Sequence, residues 1–408
     1  MPTPTGTATP RAEWFRPSLT TCPADRLSTG SFSSIMRVTI VTTWFPTGRS
    51  PGLGVFVARH AASMAAAGHD IRVVHLASTS VDDGVRHDRV MGLPVVRLPM
   101  TLSRPHELLA ARRELAALTR GSDVVHTHAV STLLPYALGR PRQPWLHTEH
   151  WSGIAQRGAE LGSLARAGAQ VVLRLERRPD VVTTVSDQLA ADLRAYRPNG
   201  EILTVPNEVT MPEEPAPRRS IEVGRDTLRI VGIGGLIERK RPDLAVEVVA
   251  ALAEQGVPAR LTWVGGGPLA DHCADLAERL GVDLELTGQL PGDQVQQILA
   301  DSDLFLVPTL AETFFLGAAE AVAAGRPVVT SDRGAHTSFL DPSVTEIVSQ
   351  DDPATWAGAV VDVMQRCEGL TARDIQDTLP RAFSPSEVAR AYGRAYETAV
   401  TEYSRRSR

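Results

Sequence analysis

The chain of 408 residues is too long for one ordinary hydrophobic core, and its 43% hydrophobic content allows each of two domains to bury one. Its formal net charge of −5 is divided unevenly, with 23 basic against 19 acidic residues up to position 215 and 19 against 28 beyond it. No concentrated basic stripe is present, which argues against nucleic acid as a partner, and the mildly basic first half is most simply a solvated surface.

The apolar segments are too short to cross a bilayer, and the first 35 residues lack the basic start and apolar centre of a signal peptide. We therefore expect a cytoplasmic protein. The basic residues Arg166, Arg174, Arg177 and Arg178 could touch a membrane, although a solvated helix face is the simpler interpretation. The three scattered cysteines fit neither a disulfide framework nor the spacing of a zinc site.

Residues 1–35 are rich in Thr, Ser and Pro and have no apolar period, which predicts a disordered leader. Short apolar runs then alternate with amphipathic segments, the pattern of a parallel sheet that is covered on both faces. The predicted strands are 36–43, 70–76, 94–98, 123–127, 144–149, 180–185, 201–205, 228–235, 260–265, 283–287, 303–307, 327–331 and 344–348.

A proline- and acid-rich stretch at 206–217 interrupts the alternation and reads as a linker between two doubly wound units. The stretch from Pro385 to Arg405 has a helical period. We therefore predict a leader (1–35), a first Rossmann-like domain (36–215), a second (216–385) and a C-terminal helix (386–408).

Lys240 is the only lysine among 42 basic residues. Because the composition favours arginine for an ordinary surface charge, this lysine indicates a site that needs a compact ammonium, with chance as the alternative. It follows a predicted strand and a glycine turn, and a helix is predicted to begin at Pro242. The carboxyl end of a strand is where open α/β sheets bind ligands, and a lysine there suits the charge of a diphosphate.

Two carboxylates lie near the start of a second helix, which is predicted from near Leu316 to Gly325. Glu312 precedes the helix, Glu320 lies inside it, and the small residues at its start would let an anion reach the unpaired amides. Carboxylates beside an anion site make sense if they accept hydrogen bonds from hydroxyl groups. The alternative is that Glu320 is an ordinary solvated residue of the helix and that Glu312 only interacts favourably with the helix dipole at its N-terminus.

The Glu312-x7-Glu320 block, followed by Ala-Gly-Arg-Pro-Val-Val and preceded by the lysine segment, resembles the family-four retaining glycosyltransferases (glycosyl transferases group one). Val264-Gly-Gly-Gly-Pro268 and the run from Leu299 to Pro308 resemble the same family. The resemblance implies an α/β protein of GT-B fold: two doubly wound Rossmann-like domains face a central cleft, and a C-terminal helix crosses back to the first domain.

The resemblance also implies retaining transfer from a nucleoside diphosphate sugar to a small-molecule or cell-envelope acceptor, with no cofactor and no metal. Lys240 would bind the diphosphate, Glu312 the transferred sugar and Glu320 the ribose. The cleft would close when the donor binds. The expected donor-binding residues are Gly54, Gly235, Arg239, Lys240, Glu312, Thr313, Phe314, Phe315, Leu316 and Glu320.

On the acceptor side, the resemblance places a histidine at a strand end against the transferred sugar. His150 fits best, with His147 as the competitor and a satisfied buried histidine as the alternative. His150, Lys240 and Glu312 are thus the expected catalytic residues. The acceptor-side residues are Gly54, His128, Glu149 and His150.

This sequence departs from the family pattern in ways that leave the nucleotide base, the sugar and the acceptor open. Gly235 stands where many members have a diphosphate-binding arginine, so either Arg239 or Arg241 substitutes for it or the affinity for the diphosphate is lower. Phe315 replaces a usual glycine, which should narrow or reshape the sugar pocket. Asp301-Ser-Asp303 imitates a metal-binding motif but precedes a buried strand, where such residues form caps and turns.

Two other functions remain open from the sequence. A sugar-nucleotide epimerase of the same fold would form free nucleotide without an acceptor. A catalytically silent nucleotide-sugar-binding protein would bind the donor and leave it unchanged, although the presence of Lys240, Glu312 and Glu320 argues against silence.

Overall fold

The computed structural model describes residues 34–150 and 163–408, with side chains from residue 168 onward in the second range. The leader predicted for residues 1–35 lies, apart from its last two residues, outside the described residues. The described residues contain two sheets that follow one another along the chain.

The first sheet runs in the order β3-β4-β2-β1-β5-β6-β7-β8 and is parallel except for the β3–β4 pair. Its central strands are buried on both faces, which explains their continuous apolar runs. The strands are β1 (Arg37–Thr42), β2 (Asp70–Ala77), β3 (His87–Val90), β4 (Leu93–Pro99), β5 (Val124–His128), β6 (Trp145–Glu149), β7 (Val181–Thr184) and β8 (Glu201–Thr204).

The second sheet is parallel throughout, in the order β11-β10-β9-β12-β13-β14. The strand order reverses between β9 and β12, which is where doubly wound sheets open a crevice for ligands. The strands are β9 (Leu228–Ile233), β10 (Ala259–Val264), β11 (Asp283–Gly288), β12 (Leu304–Val307), β13 (Val328–Ser331) and β14 (Thr345–Val348).

Helices cover both sheets, and the last of them, α11, packs against α1 and strands β5 to β7 of the first sheet. We call the first sheet with α1–α4 and α11 the first lobe, and the second sheet with α5–α10 the second lobe. The helices are α1 (Val55–Ala66), α2 (Pro105–Leu118), α3 (Ser163–Leu173), α4 (Asp187–Leu193), α5 (Pro242–Glu254), α6 (Ala270–Leu280), α7 (Gly292–Asp301), α8 (Leu316–Ala323), α9 (Pro353–Arg366), α10 (Ala372–Gln376) and α11 (Pro385–Arg406).

Local sequence explains where the helices nearest the cleft begin and end. Pro242 occupies the first turn of α5, where its missing N–H costs nothing. Gly325 follows α8 with a φ of 76°, the left-handed conformation that favours glycine at a helix end. Both boundaries agree with the sequence predictions. None of the helices described here is both long and apolar enough to span a membrane.

The predicted α/β class, the two doubly wound units and the returning C-terminal helix are confirmed, and one strand was missed. Strand β3 contains three polar residues among four and forms an antiparallel edge hairpin with β4. Met91 and Gly92 join these strands with positive φ values of 51° and 78°, as in a tight hairpin turn. An edge strand without an apolar run leaves no periodic signal in the sequence.

Candidate functional site

The candidate site lies where β9 and β12 end at the crevice of the second sheet. Lys240 ends a short 3-10 turn (Glu238–Lys240) after β9, and Glu312 lies in the loop between β12 and α8. The Lys240 Nζ atom lies 2.5 Å from Glu312 Oε1. This direct contact is consistent with the sequence prediction that Lys240 and Glu312 belong to one site.

Within the described part of the chain, the Glu312 carboxylate receives three hydrogen bonds, and all of them reach the same oxygen, Oε1. Besides Lys240, Arg239 Nη1 donates at 3.1 Å and the Thr309 hydroxyl at 2.9 Å. Arg239 also donates to the Ala311 carbonyl at 2.7 Å, which fixes the loop that carries Glu312. Thr309 was not predicted as a site residue, because a threonine after a strand is too common to indicate a function.

Lys240 and Glu312 each stabilise the charged form of the other, although both side chains are buried. Burial would raise the pKa of the Glu312 carboxyl, but Lys240 and Arg239 outweigh burial and hold that pKa below its usual range. Burial lowers the pKa of the Lys240 ammonium, and Glu312 opposes that effect. A carboxylate with a depressed pKa is ionised at neutral pH, so the pair is an ion pair there.

Glycines allow the close approach of these elements. Gly234 has a φ of 150°, and a Cβ there would lie 3.0 Å from Cε of Lys240, so a side chain would displace the lysine. Gly317, in the first turn of α8, packs beside Phe305 and the Ile233 carbonyl. The unpaired amides at the start of α8 are thereby held beside the ends of β9 and β12. Gly235 has more room than Gly234.

Phe315 precedes α8 in the left-handed conformation, with a φ of 75°. Its ring is buried against Phe305 and His336, and the Lys240 Nζ atom lies 4.3 Å from the ring centre. The expectation that Phe315 narrows the sugar pocket is therefore corrected: the ring lies in the core and supports Lys240 by a cation–π contact. The ring of Phe314 is likewise buried, against Phe339 and Phe383.

We expect Phe315→Gly to destabilise the protein less than Phe315→Ala, by about 1 kcal/mol in the free energy of unfolding. Both changes remove the same buried ring, but only glycine adopts this left-handed backbone without a steric cost. Urea denaturation of the two variants beside the unmodified protein measures the difference. A Phe315→Ala variant more stable than Phe315→Gly would contradict the backbone conformation described here.

The first lobe faces this site with the loop after β1 and the end of β6. Gly54 directly precedes α1 with a φ of 62°, and a Cβ there would lie 2.2 Å from the Trp44 carbonyl oxygen, so glycine is required. His150 follows β6, with its ring 4.8 Å from that of Phe56. The Thr313 hydroxyl donates to the His150 carbonyl at 3.1 Å, which brings the second lobe against this histidine.

His150 is backed by a second buried histidine, His128 at the end of β5. The two rings are nearly parallel, and His150 Nε2 lies 3.1 Å from His128 Nδ1. Burial lowers the pKa of both, that of His150 to about 3, so both rings are neutral at pH 7. The acceptor-side prediction for His128 is corrected, because its side chain is fully buried and packs against His150.

His147, the competitor of His150, points into the core instead. Its Nε2 atom lies 3.4 Å from Glu149 Oε2 and 3.2 Å from Glu176 Oε1, and all three side chains are buried. Glu149 Oε1 accepts from the His150 amide at 2.7 Å. The buried carboxylate of Glu149 therefore fixes the backbone of His150. This corrects the prediction that Glu149 lies on the acceptor side. Within the described residues, His147, Glu149 and Glu176 also form a group of three atoms close enough to share a metal ion.

The stability of the protein is expected to fall as pH rises towards 9. Burial would lower the pKa of His147, but Glu176 and Glu149 outweigh burial and raise that pKa to about 9. In the unfolded chain a histidine has a pKa of about 6.5, so the raised pKa of His147 means that its charged form stabilises the folded state. This stabilisation is complete below about pH 6.5 and is lost as the pH rises through the pKa of the folded state. Urea denaturation between pH 6.5 and 9.5 should show a flatter decline for His147→Gln than for the unmodified protein; equal slopes would contradict the charged pair.

Glu320 lies one turn inside α8, and Arg59 of α1 donates to its Oε1 atom at 2.5 Å. The sequence did not indicate Arg59. Arg241, considered as a substitute for the missing diphosphate arginine, instead pairs with Asp351, whereas Arg239 pairs with Glu312. Asp303 directly precedes β12 and accepts a hydrogen bond from Arg219. It therefore lies at the opposite end of this strand from the site.

Comparisons with known proteins agree with this architecture. The family described as Glycosyltransferase Family 4 matches residues 51–210, and Glycosyl transferases group 1 matches residues 227–366. The D-inositol 3-phosphate glycosyltransferase of Actinosynnema mirum is 29% identical over 77% of this chain and 84% of its own length. A GDP-mannose-dependent alpha-(1-6)-phosphatidylinositol dimannoside mannosyltransferase of Mycobacterium tuberculosis is 30% identical over 47% of this chain and 46% of its own.

The sucrose-phosphate synthase from Thermosynechococcus elongatus shares the fold, with a TM-score of 0.71 at 18% identity over 88% of this chain and 98% of that one. The two family matches cover the two lobes in turn, and the sheets, the cleft and the returning helix are those of the shared fold. The chain is therefore a glycosyltransferase of family 4 with the GT-B fold.

Proposed function

We propose that this glycosyltransferase moves a sugar from a nucleoside diphosphate sugar to a small-molecule or cell-envelope acceptor, with retention of configuration and without a required metal. The observation that carries the proposal is the buried Lys240–Glu312 pair beside the opening amides of α8. A cation, a carboxylate and unpaired amides lie together at the switch point of the sheet, where doubly wound folds bind nucleotides.

Lys240 and the α8 amides are proposed to hold the diphosphate. Negative charge grows on the diphosphate as its bond to the sugar breaks, and an ammonium fixed in a site of low polarity stabilises that charge more than water does. Glu312 is oriented through Oε1, so we propose that Oε2 accepts hydrogen bonds from hydroxyls of the transferred sugar. Glu320 is proposed to accept the ribose diol.

Retention is proposed to follow a front-face course. The acceptor oxygen forms a bond to the anomeric carbon on the same face from which the diphosphate departs. The bond between the anomeric carbon and the diphosphate oxygen breaks, and the acceptor proton passes to the departing diphosphate. Glu312 is poorly suited to act as a nucleophile, because two cations and a hydroxyl already bind it and its pKa is depressed. His150 is proposed to contact the transferred sugar from the first lobe.

The relatives suggest which substrates to test first. One is named for D-inositol 3-phosphate and another for GDP-mannose and a phosphatidylinositol dimannoside, so inositol-containing acceptors and GDP-mannose head the list. The mildly basic first half would suit an anionic acceptor of this kind. A cytoplasmic location, expected from the sequence, remains part of the proposal.

Thermal-shift measurements against UDP-, GDP-, ADP- and dTDP-sugars test the donor. With the stabilising donor in hand, we expect nucleotide release to require an acceptor, to persist in EDTA, and to give a product whose anomeric configuration by NMR matches the donor. Release that is equally fast without an acceptor would favour an epimerase instead. Tight donor binding without turnover on any acceptor class would favour a silent binding protein.

A further inference from the structure

Arg59 joins the two lobes at the nucleotide side of the cleft. Its Nη1 atom lies 2.5 Å from Glu320 Oε1, although the two residues are 261 positions apart in the chain. The side chains are only 16% and 8% exposed. An ion pair with so little solvent contact is screened far less than a surface pair, so it affects the energy of closing the cleft.

The guanidinium also lies against the start of α7 in the second lobe. A Cβ at Gly292 would lie 3.4 Å from Arg59 Nη2, so the arginine bonds to α8 and lies close to the start of α7. The rest of α1 is anchored in its own lobe and to the segment after β8. Ser63 donates to the Glu208 carboxylate at 2.6 Å, and His60 Nε2 accepts from the Glu208 amide at 3.1 Å.

The two carboxylates of the site obtain their counter-charges from different lobes. Glu312 is neutralised within the second lobe by Lys240 and Arg239. Among the described residues, the cation bonded to Glu320 is Arg59 of the first lobe. An open cleft would thus leave Glu320 as an uncompensated negative charge beside the site of a diphosphate, and like charges at such distances repel.

We propose that Arg59 is a positioning residue that brings the counter-charge of Glu320 from the opposite lobe and so couples closure of the cleft to donor binding. Arg59 occupies Oε1, and Oε2 would accept the ribose. The nucleotide then binds most tightly to the closed form, in which Arg59 compensates the negative charge of Glu320. This inference rests on the proposed use of a nucleoside diphosphate sugar.

The first test is independent of any substrate. Small-angle X-ray scattering of the unliganded protein should give a larger radius of gyration for Arg59→Gln than for the unmodified protein, with Arg59→Lys between them. Arg225→Gln, which breaks an exposed ion pair with Glu222, is the matched control and should change nothing. Circular dichroism and melting temperature verify that the variants fold. If Arg59→Gln does not fold, Arg59→Lys still tests the proposal.

The second test uses the donor identified by thermal shift. We expect Arg59→Gln to raise the donor KM about tenfold, with a smaller effect on kcat, and to have little further effect in a Glu320→Gln background. An unchanged radius and KM would overturn the inference, and so would an equal cost of Arg59→Gln with and without Glu320. Failure of the unmodified protein to bind any nucleotide sugar would instead overturn the proposed function, while the scattering result would still stand.

Discussion

Lys240→Ala is expected to lower kcat/KM by about 10²- to 10³-fold and to weaken nucleotide diphosphate binding as well. The ammonium is proposed to bind the diphosphate in the ground state and more strongly as the leaving group gains charge, so both binding and turnover depend on it. Steady-state kinetics, together with calorimetric titration of the matching nucleoside diphosphate, measure the two effects separately. Near-native activity would remove Lys240 from the mechanism.

Lys240→Arg is the informative companion, because it keeps the charge and changes the shape. Lys240 is bounded by the backbone of Gly234, the ring of Phe315 and the carboxylate of Glu312. A planar guanidinium is broader than an ammonium and would have to displace one of them. We therefore expect Lys240→Arg to lose most of the activity too. Full activity would mean that the solitary lysine of this sequence survived by chance.

The strands other than β3 were predictable because both sheets are covered on two faces, so that their central strands are continuous apolar runs. The carboxyl-end position of Lys240 and the spacing of Glu312 and Glu320 followed from the same strand pattern and from the unusual composition. The boundaries of α5 and α8 followed from Pro242 and Gly325. These features are local, so the sequence carries them directly.

Arg59 could not be found in this way. It is one of 41 arginines, and its contact with Glu320 depends on how two lobes meet across the cleft. The resemblance favoured His150 over His147, but the residue pattern alone could not separate them, because both lie near the end of one strand. What separates them is Glu176, from a 3-10 turn (Arg174–Arg177) that covers the His147 side of β6.

Glu312→Ala should reduce turnover more than it reduces nucleotide affinity, with kcat lower by about 10²-fold. The carboxylate is proposed to hold the transferred sugar and it orients Lys240, so its loss misplaces the reacting groups. Lys240 would remain beside the α8 amides and would no longer be shared with a carboxylate. The affinity for a nucleoside diphosphate without a sugar should therefore be retained or increased, in contrast to Lys240→Ala.

Glu312→Gln separates the charge of this side chain from its shape. The amide can still accept from a sugar hydroxyl, but it no longer compensates Lys240 and Arg239, so we expect an intermediate loss of kcat. Because residues in contact couple, the Lys240→Ala, Glu312→Ala double variant should lose less than the product of the single losses. Independent, multiplicative losses would show that the two side chains act separately, contrary to the shared site in which one ammonium serves both the carboxylate and the diphosphate.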